Sequence, residues 1–293
     1  MAAPEPAIRN VSDTARWTAL FRAQESERPD ALFRDPFARA LAGDRGAQIA
    51  QSVPFAAKHA WSFTARTVLF DRLVLEEVAA GTDLILNLAA GLDTRPYRMD
   101  LPADLRWVEA DLPGILDYKE SVLGGAQPRC RLERVRVDLS DAAARQKLFQ
   151  ELGQEARRVA VLSEGLVIYF PPEGVAALAR DLAAPPSFAR WILDLASPGL
   201  VQMMRKRMGR EVEAAGAPFL FGPAEGPAFF EPLGWTPMAV HSPLKTAAQI
   251  HRLPWSMKIW AMFPATHPGA KPRPWSGICL FEKGSGRDSR YPH

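Results

Sequence analysis

Residues 84–98 read L-I-L-N-L-A-A-G-L-D-T-R-P-Y-R, and residues 105–113 read L-R-W-V-E-A-D-L-P. The first segment is an apolar run broken at Gly91. The second is an apolar run that ends in acids at Glu109 and Asp111. A strand buried on both faces reads as a near-continuous apolar run rather than an alternating one. Gly91 permits a tight turn in which backbone approaches a ligand with no side chain in the way. Asp111 follows that glycine by about 20 residues, the offset at which an acid on the second strand meets a nucleotide ribose. The segment therefore reads as strand, ligand loop, helical turn, strand and acid, and it sets a nucleoside-binding edge at the carboxyl end of a parallel sheet.

The rest of the chain keeps this alternation. Ser12-Asp13 caps a helix whose apolar residues are Trp17, Leu20 and Phe21, and a second short helix follows Asp35-Pro36 and stops at Gly43. Both precede the first strand and so form a flank or lid. Residues 61–80 make a strong helix ended by Gly81, with Arg66, Phe70, Leu73 and Glu77 on one face. A cation heading such a face either snorkels or reaches an anion in a pocket. Residues 131–139 alternate Leu132, Val135, Val137 and Leu139 with polar residues, giving a third strand; Ser140-Asp141 then caps a helix. Residues 158–169 give a fourth strand with Glu164 and Gly165 towards its end. A helix follows from Pro171-Pro172-Glu173, and residues 190–196 form a fifth strand.

After residue 196 the pattern changes. Residues 199–215 are helical and basic, with Met203, Met204 and Met208. Residues 236–240 and 277–282 read as the last two strands. The connection 243–275 carries Trp255, Trp260 and Trp275, and its length marks it as functional or part of the lid. A frayed tail is expected from Lys283. The fold class expected is α/β: a doubly wound, mostly parallel seven-stranded sheet. It forms a single domain with a helical flank at 1–60, a ligand-binding core at 61–196, insertions and last strands at 197–283, and a tail at 284–293.

Composition excludes several classes. The 293 residues are 47% hydrophobic, ample for a core, and the net charge of +3 is spread thinly. Nucleic acid would want a basic stripe, and the densest basic run, Arg205-Lys206-Arg207, reads as a solvated helix face. Cys130 and Cys279 are too few and too distant for a disulfide scaffold or a cysteine zinc site. No apolar run is long enough to span a membrane, and the first residues lack the apolar segment of a secretory signal. A cytoplasmic location is expected; the oligomeric state stays open.

The motifs narrow the ligand. The turn A-A-G-L-D-T carries one glycine where a dinucleotide site needs G-x-G-x-x-G, so NAD and FAD fit poorly. No Walker loop or G-x-S-x-G elbow occurs, and the histidines lack metal-binding spacing, so no metal is expected. A nucleoside without phosphates fits better. S-adenosylmethionine carries an amino-acid end for the glycine turn, a ribose for Asp111 and an adenine for Asp138. Each acid alone is as well read as a helix cap or loop carboxylate. Three at successive strand ends, with Glu164, point to a ligand edge.

N-L-A-A-G-L-D-T-R-P-Y-R, W-V-E-A-D-L-P, R-V-D-L and S-E-G-L-V-I-Y-F-P together resemble the leucine carboxyl methyltransferase family over about residues 12–240. S-E-R-P-D-A-L-F-R-D-P-F-A near the start is similar to its bacterial branch, which tailors polyketides and other secondary metabolites. The resemblance implies a class I methyltransferase fold using S-adenosylmethionine, with an N-terminal helical lid. By motif position it implies that Arg66 pairs with the methionine carboxylate and Gly91 lines the loop. Asp111 would hold the ribose, Asp138 with Leu139 would frame the adenine, and Glu164 would sit near the methionine amine. It further implies that Arg66 and Tyr169 address an acceptor carboxylate. The chain departs at Ala89, where members often have glycine; one methyl group there should tighten the loop.

The expected reaction is O-methylation of a small molecule at a carboxylate, which is ionised at neutral pH and needs no base. A phenol or alcohol acceptor would need one, and His59 and His241 are the better placed histidines. The Trp and Met residues of 199–275 either wall a flat apolar acceptor pocket or pack the lid. A protein C-terminus as acceptor, and a partner-binding domain without turnover, are the remaining readings. The intact acids at 111, 138 and 164 argue against the last.

Overall fold

The computed structural model describes residues 11–52, 58–214, 217–261 and 274–284. Seven strands form one sheet in the order β3-β2-β1-β4-β5-β7-β6. They are β1 (Leu84–Leu88), β2 (Arg106–Asp111), β3 (Arg131–Arg136), β4 (Val159–Ser163), β5 (Phe188–Ala196), β6 (Trp235–His241) and β7 (Ser276–Lys283). Strands β1 to β5 pair in parallel, and β7 lies antiparallel between β5 and β6. All of β1 and β4 is buried, as their continuous apolar sequences require.

The strand pleat sends alternate residues to two cores. Leu84, Leu86, Leu88, Val159 and Val161 pack with Trp191 against the helices α6 (Ala142–Glu155) and α7 (Pro172–Ala183). Ile85, Ala160, Leu162 and Ile192 pack against Leu69, Phe70, Leu73 and Val74 of α3 (Ala60–Ala79). The strand order reverses between β1 and β4, so a crevice opens beyond their carboxyl ends, where ligands bind in such sheets. Helix α1 (Val11–Ser26) lies over this edge. Its Trp17 and Phe21 join Ile49 of α2 (Ala38–Ser52) and Met208 of α8 (Pro198–Ala214) in a separate apolar cluster.

Several boundaries differ from the sequence reading. The second helix breaks at Gly43, where φ is 56°, but resumes to Ser52. Strand β3 stops at Arg136 rather than at 139. Val137 N–H still bonds Asp111 O at 2.9 Å, and the chain then turns as Asp138 accepts from Ser140. Strand β4 stops at Ser163 because Gly165 takes a left-handed φ of 69°; Val167–Tyr169 form a short 3₁₀ turn instead. The long connection contains α9 (Pro243–Gln249), capped by Ser242, and a short helix α10 (Lys258–Ala261). Lys283 is not the start of a frayed tail: it closes β7, and its Nζ donates to Pro185 O at 2.7 Å. Both cysteines are buried and free.

Candidate active site

A cavity of about 570 Å³ opens at the carboxyl edge of the sheet, and Arg66, Gly91, Asp111, Asp138, Leu139, Glu164 and Tyr169 all line it. Its floor is the loop after β1. Gly91 there has φ 49°, and a Cβ would stand 3.3 Å from the Ala15 Cβ of α1, so conformation and close approach both favour glycine. Ala89 also sits in the left-handed region, at φ 50°. The methyl group at this position therefore strains the backbone, a cost of about 1–2 kcal/mol that glycine would avoid.

Asp111 ends β2 with both carboxylate oxygens engaged. Oδ2 accepts from Gly91 N–H at 2.6 Å and Oδ1 from Leu112 N–H at 2.7 Å. The first bond stitches β2 to the glycine loop, and each oxygen keeps capacity for a further hydrogen bond. Burial pushes the Asp111 carboxyl above its usual range, against the pull of those N–H groups. Asp138, beyond β3, accepts from the N–H and hydroxyl of Ser140.

Arg66, from α3, reaches the cavity rather than snorkelling away from it. Its Nε lies 2.9 Å from Glu164 Oε1, and its Nη1 lies 3.2 Å from Asp194 Oδ2. Burial works against the Arg66 charge, but those two carboxylates outweigh it and hold its pKa above normal. The Nε–H is buried without an aligned acceptor among the described residues, so its contact with Glu164 is one of charge alone. Glu164 Oε2 is held from the other side by Arg95 Nη2 at 2.9 Å. Arg95 in turn binds Asp71 and Asp93. Burial alone would raise the Asp93 carboxyl; the Arg95 guanidinium beside it holds it well below the usual range.

Tyr169 is half-buried against Phe219, with ring centroids 5.8 Å apart. Burial raises its phenol above the usual value, while a hydrogen bond with Thr14 of α1 acts in the opposite sense. Phe63, Ile168, Met204, Met208 and Phe219 line the apolar wall near it. Of the methionines and tryptophans singled out in 199–275, Met204 and Met208 line this cavity; Met203, Trp255 and Trp275 do not. Trp255 is 86% exposed and Trp275 packs on the main core; the Trp260 side chain lies outside the described residues. Neither His59 nor His241 lines the cavity: His59 precedes α3, and His241 Nδ1 meets Arg72 at 3.1 Å. His267 lies outside the described residues. Among the described residues no cluster could hold a metal ion, and no helix is long and apolar enough to cross a membrane.

Sequence reading missed Asp194, Asn87, Asp93 and Arg95, which line the same cavity. For Asp194 a signal existed, since it is the one acid within the apolar run W-I-L-D-L-A. Arg22 of α1 was missed too. It donates to Leu92 O at 2.5 Å and to Asp35 at 2.9 Å, tying the N-terminal helix to the loop after β1.

The sequence profile described as leucine carboxyl methyltransferase matches residues 15–183. A Streptomyces avermitilis protein, named provisionally as an S-adenosyl-L-methionine-dependent methyltransferase, is 33% identical over 233 residues, 76% of this chain and 80% of that protein. A Parafrankia relative with the same provisional name is 36% identical over 190 residues, 60% of this chain. The chain spans 61% of that relative's length. Among solved structures, a DUF574 family protein from Streptomyces avermitilis is similar with a TM-score of 0.60 and 17% identity, covering 92% of this chain and 97% of that one. A protein from Thermobifida fusca, named provisionally as a methyltransferase, is similar with a TM-score of 0.56 and 15% identity, covering 97% of this chain and 100% of that one. These likenesses and the sheet order identify the class I methyltransferase fold. With the profile matching more than half of its length, the chain belongs to the leucine carboxyl methyltransferase family.

Proposed function

We propose that this protein is an S-adenosylmethionine-dependent O-methyltransferase acting on a small, largely apolar acceptor at a carboxylate. The observation that carries this reading is the division of one cavity into a charged floor at the strand ends and an apolar wall of Phe63, Ile168, Met204, Met208 and Phe219. The residues fit the cofactor. The Arg66 guanidinium at the cavity wall suits a carboxylate, and the remaining acceptor capacity of the Asp111 carboxylate suits ribose hydroxyls. Gly91 leaves the loop backbone open, Asp138 and Leu139 would frame the adenine, and Glu164 would meet the methionine ammonium.

Bound there, S-adenosylmethionine supplies an electrophilic methyl group. The protein's own part is alignment and exclusion of water. Helix α1 covers the edge, with Thr14 bonded to Tyr169 and Arg22 to the loop after β1. The Tyr169 hydroxyl, beside Arg66, would orient the acceptor carboxylate and hold its attacking oxygen. A carboxylate has pKa about 4 and is already ionised at neutral pH, so no proton need be removed. None of the described histidines lines the cavity, which agrees with that chemistry. A hydroxyl acceptor is the second reading. It is favoured by the two carboxylates already flanking Arg66, which leave less positive charge for an anionic acceptor.

The test uses methyl-labelled S-adenosylmethionine with matched arylcarboxylic acids and phenols. Label in a base-labile ester supports the carboxylate reading, and label in a base-stable ether supports the second. Label transferred to neither, but to protein side chains, would overturn the small-molecule assignment.

A further inference from the structure

We propose that Asp194 is a positioning residue for the amino-acid end of the cofactor, fixing both the cation and the turn that present the two poles of that zwitterion. This rests on the reading of the cavity as an S-adenosylmethionine site. Asp194 lies near the carboxyl end of β5, and its two oxygens do different work. Oδ2 pairs with Arg66 Nη1 at 3.2 Å, and Oδ1 accepts from Gly165 N–H at 2.6 Å.

The second bond matters as much as the first. Gly165 follows Glu164 and turns the chain with φ 69°. A Cβ on Gly165 would stand 3.4 Å from Arg66 Nη1, so the guanidinium lies directly against this turn. One carboxylate thus holds the arginine that would take the ligand's carboxylate and the turn bearing the glutamate that would take its ammonium. Glu164 has a second anchor in Arg95, whereas the Nη1 edge of Arg66 has its ion pair with Asp194. The Phe63 ring backs the guanidinium, its centroid 5.3 Å from Cζ, and supplies no directional acceptor. Without Asp194, the unaligned contact with Glu164 would be the carboxylate contact left to Arg66 among the described residues.

The experiment measures two ligands on the full chain. S-adenosylhomocysteine carries the amino-acid end, and 5′-methylthioadenosine has the same nucleoside and sulfur without it. Asp194→Asn should weaken S-adenosylhomocysteine by about ten-fold or more, the worth of a charged hydrogen bond, and change methylthioadenosine by less than about three-fold. Asp194→Glu, which keeps the charge, should recover part of the loss, and Arg66→Lys should show the same ligand selectivity. Equal weakening of both ligands means that Asp194 only supports the fold and overturns the assignment; unchanged binding of both does so too. If Asp194→Asn fails to fold, the Glu variant decides, since a displaced carboxylate must still cost S-adenosylhomocysteine more than methylthioadenosine. Wild type that binds neither ligand refutes the cofactor reading itself, a result distinct from loss of selectivity.

Discussion

Replacing Asp111 with alanine should damage the protein in two separable ways. The carboxylate accepts from Gly91 N–H at 2.6 Å and Leu112 N–H at 2.7 Å, and the residue is 9% exposed. A net charged hydrogen bond is worth about 1.5–3 kcal/mol, and leaving a buried N–H unpaired costs about 1–3 kcal/mol. Both donors lie at the cavity wall, where water can replace part of the loss, so about 2–4 kcal/mol of stability should go in the absence of ligand. The lost ribose contacts should weaken S-adenosylhomocysteine by a further 1–3 kcal/mol or so. Urea unfolding without ligand reads the first effect. Calorimetry at a temperature where the variant stays folded reads the second. Stability within about 0.5 kcal/mol of wild type would refute the stitching of β2 to the loop. Unchanged affinity in a folded variant would refute the ribose role.

Lys119→Met should cost about 3 kcal/mol, because Lys119 and Glu109 are both fully buried with Nζ–Oε1 2.7 Å, and among the described residues Arg134 alone would remain paired with Glu109. Burial already holds the Glu109 carboxyl above the usual range, opposed by Lys119 and Arg134. Without Lys119 it rises further, so the folded state binds a proton more readily than the unfolded one. The deficit should be full at pH above that raised value and shrink as pH falls through it; urea midpoints that show no such narrowing contradict it. Tyr169→Phe should slow transfer with little change in S-adenosylhomocysteine affinity, measured by single-turnover labelling and calorimetry; equal losses in both would make Tyr169 a cofactor contact. Ala89→Gly should leave stability within about 1 kcal/mol of wild type, since relief of left-handed strain offsets the added freedom of the unfolded chain. A loss above about 2 kcal/mol by thermal or urea unfolding shows that the Ala89 methyl packs better than its φ suggests.

What the sequence made legible was set by local pattern. Continuous apolar runs marked β1 and β4, the glycine turn and the acids at strand ends marked the ligand edge, and those residues meet in one cavity. Strand ends were less legible. The alternation of R-V-D-L continues past Arg136, but Asp138 bonds Ser140 and turns the chain; the apolar run L-V-I-Y continues past Ser163, but Gly165 breaks it. The pairing of Asp71, Arg95, Glu164, Arg66 and Asp194 into one ion-pair chain was not legible, although Arg66 and Glu164 were each read as site residues. The pairs it joins are far apart in sequence, Arg66 and Asp194 by 128 positions, so no local pattern shows who meets whom. Only the packing of α3 and β5 onto β4 and the loop after β1 brings them together. The docking of α1 escaped for the same reason, since Arg22 meets Leu92 across 70 positions.

Calorimetric titration of the purified, folded protein with S-adenosylhomocysteine, with NADH as control, tests the central proposal most directly. Saturable binding of S-adenosylhomocysteine alone, lost or weakened in Asp111→Ala, is the expected result. A folded protein that binds neither ligand, or binds NADH, would contradict it.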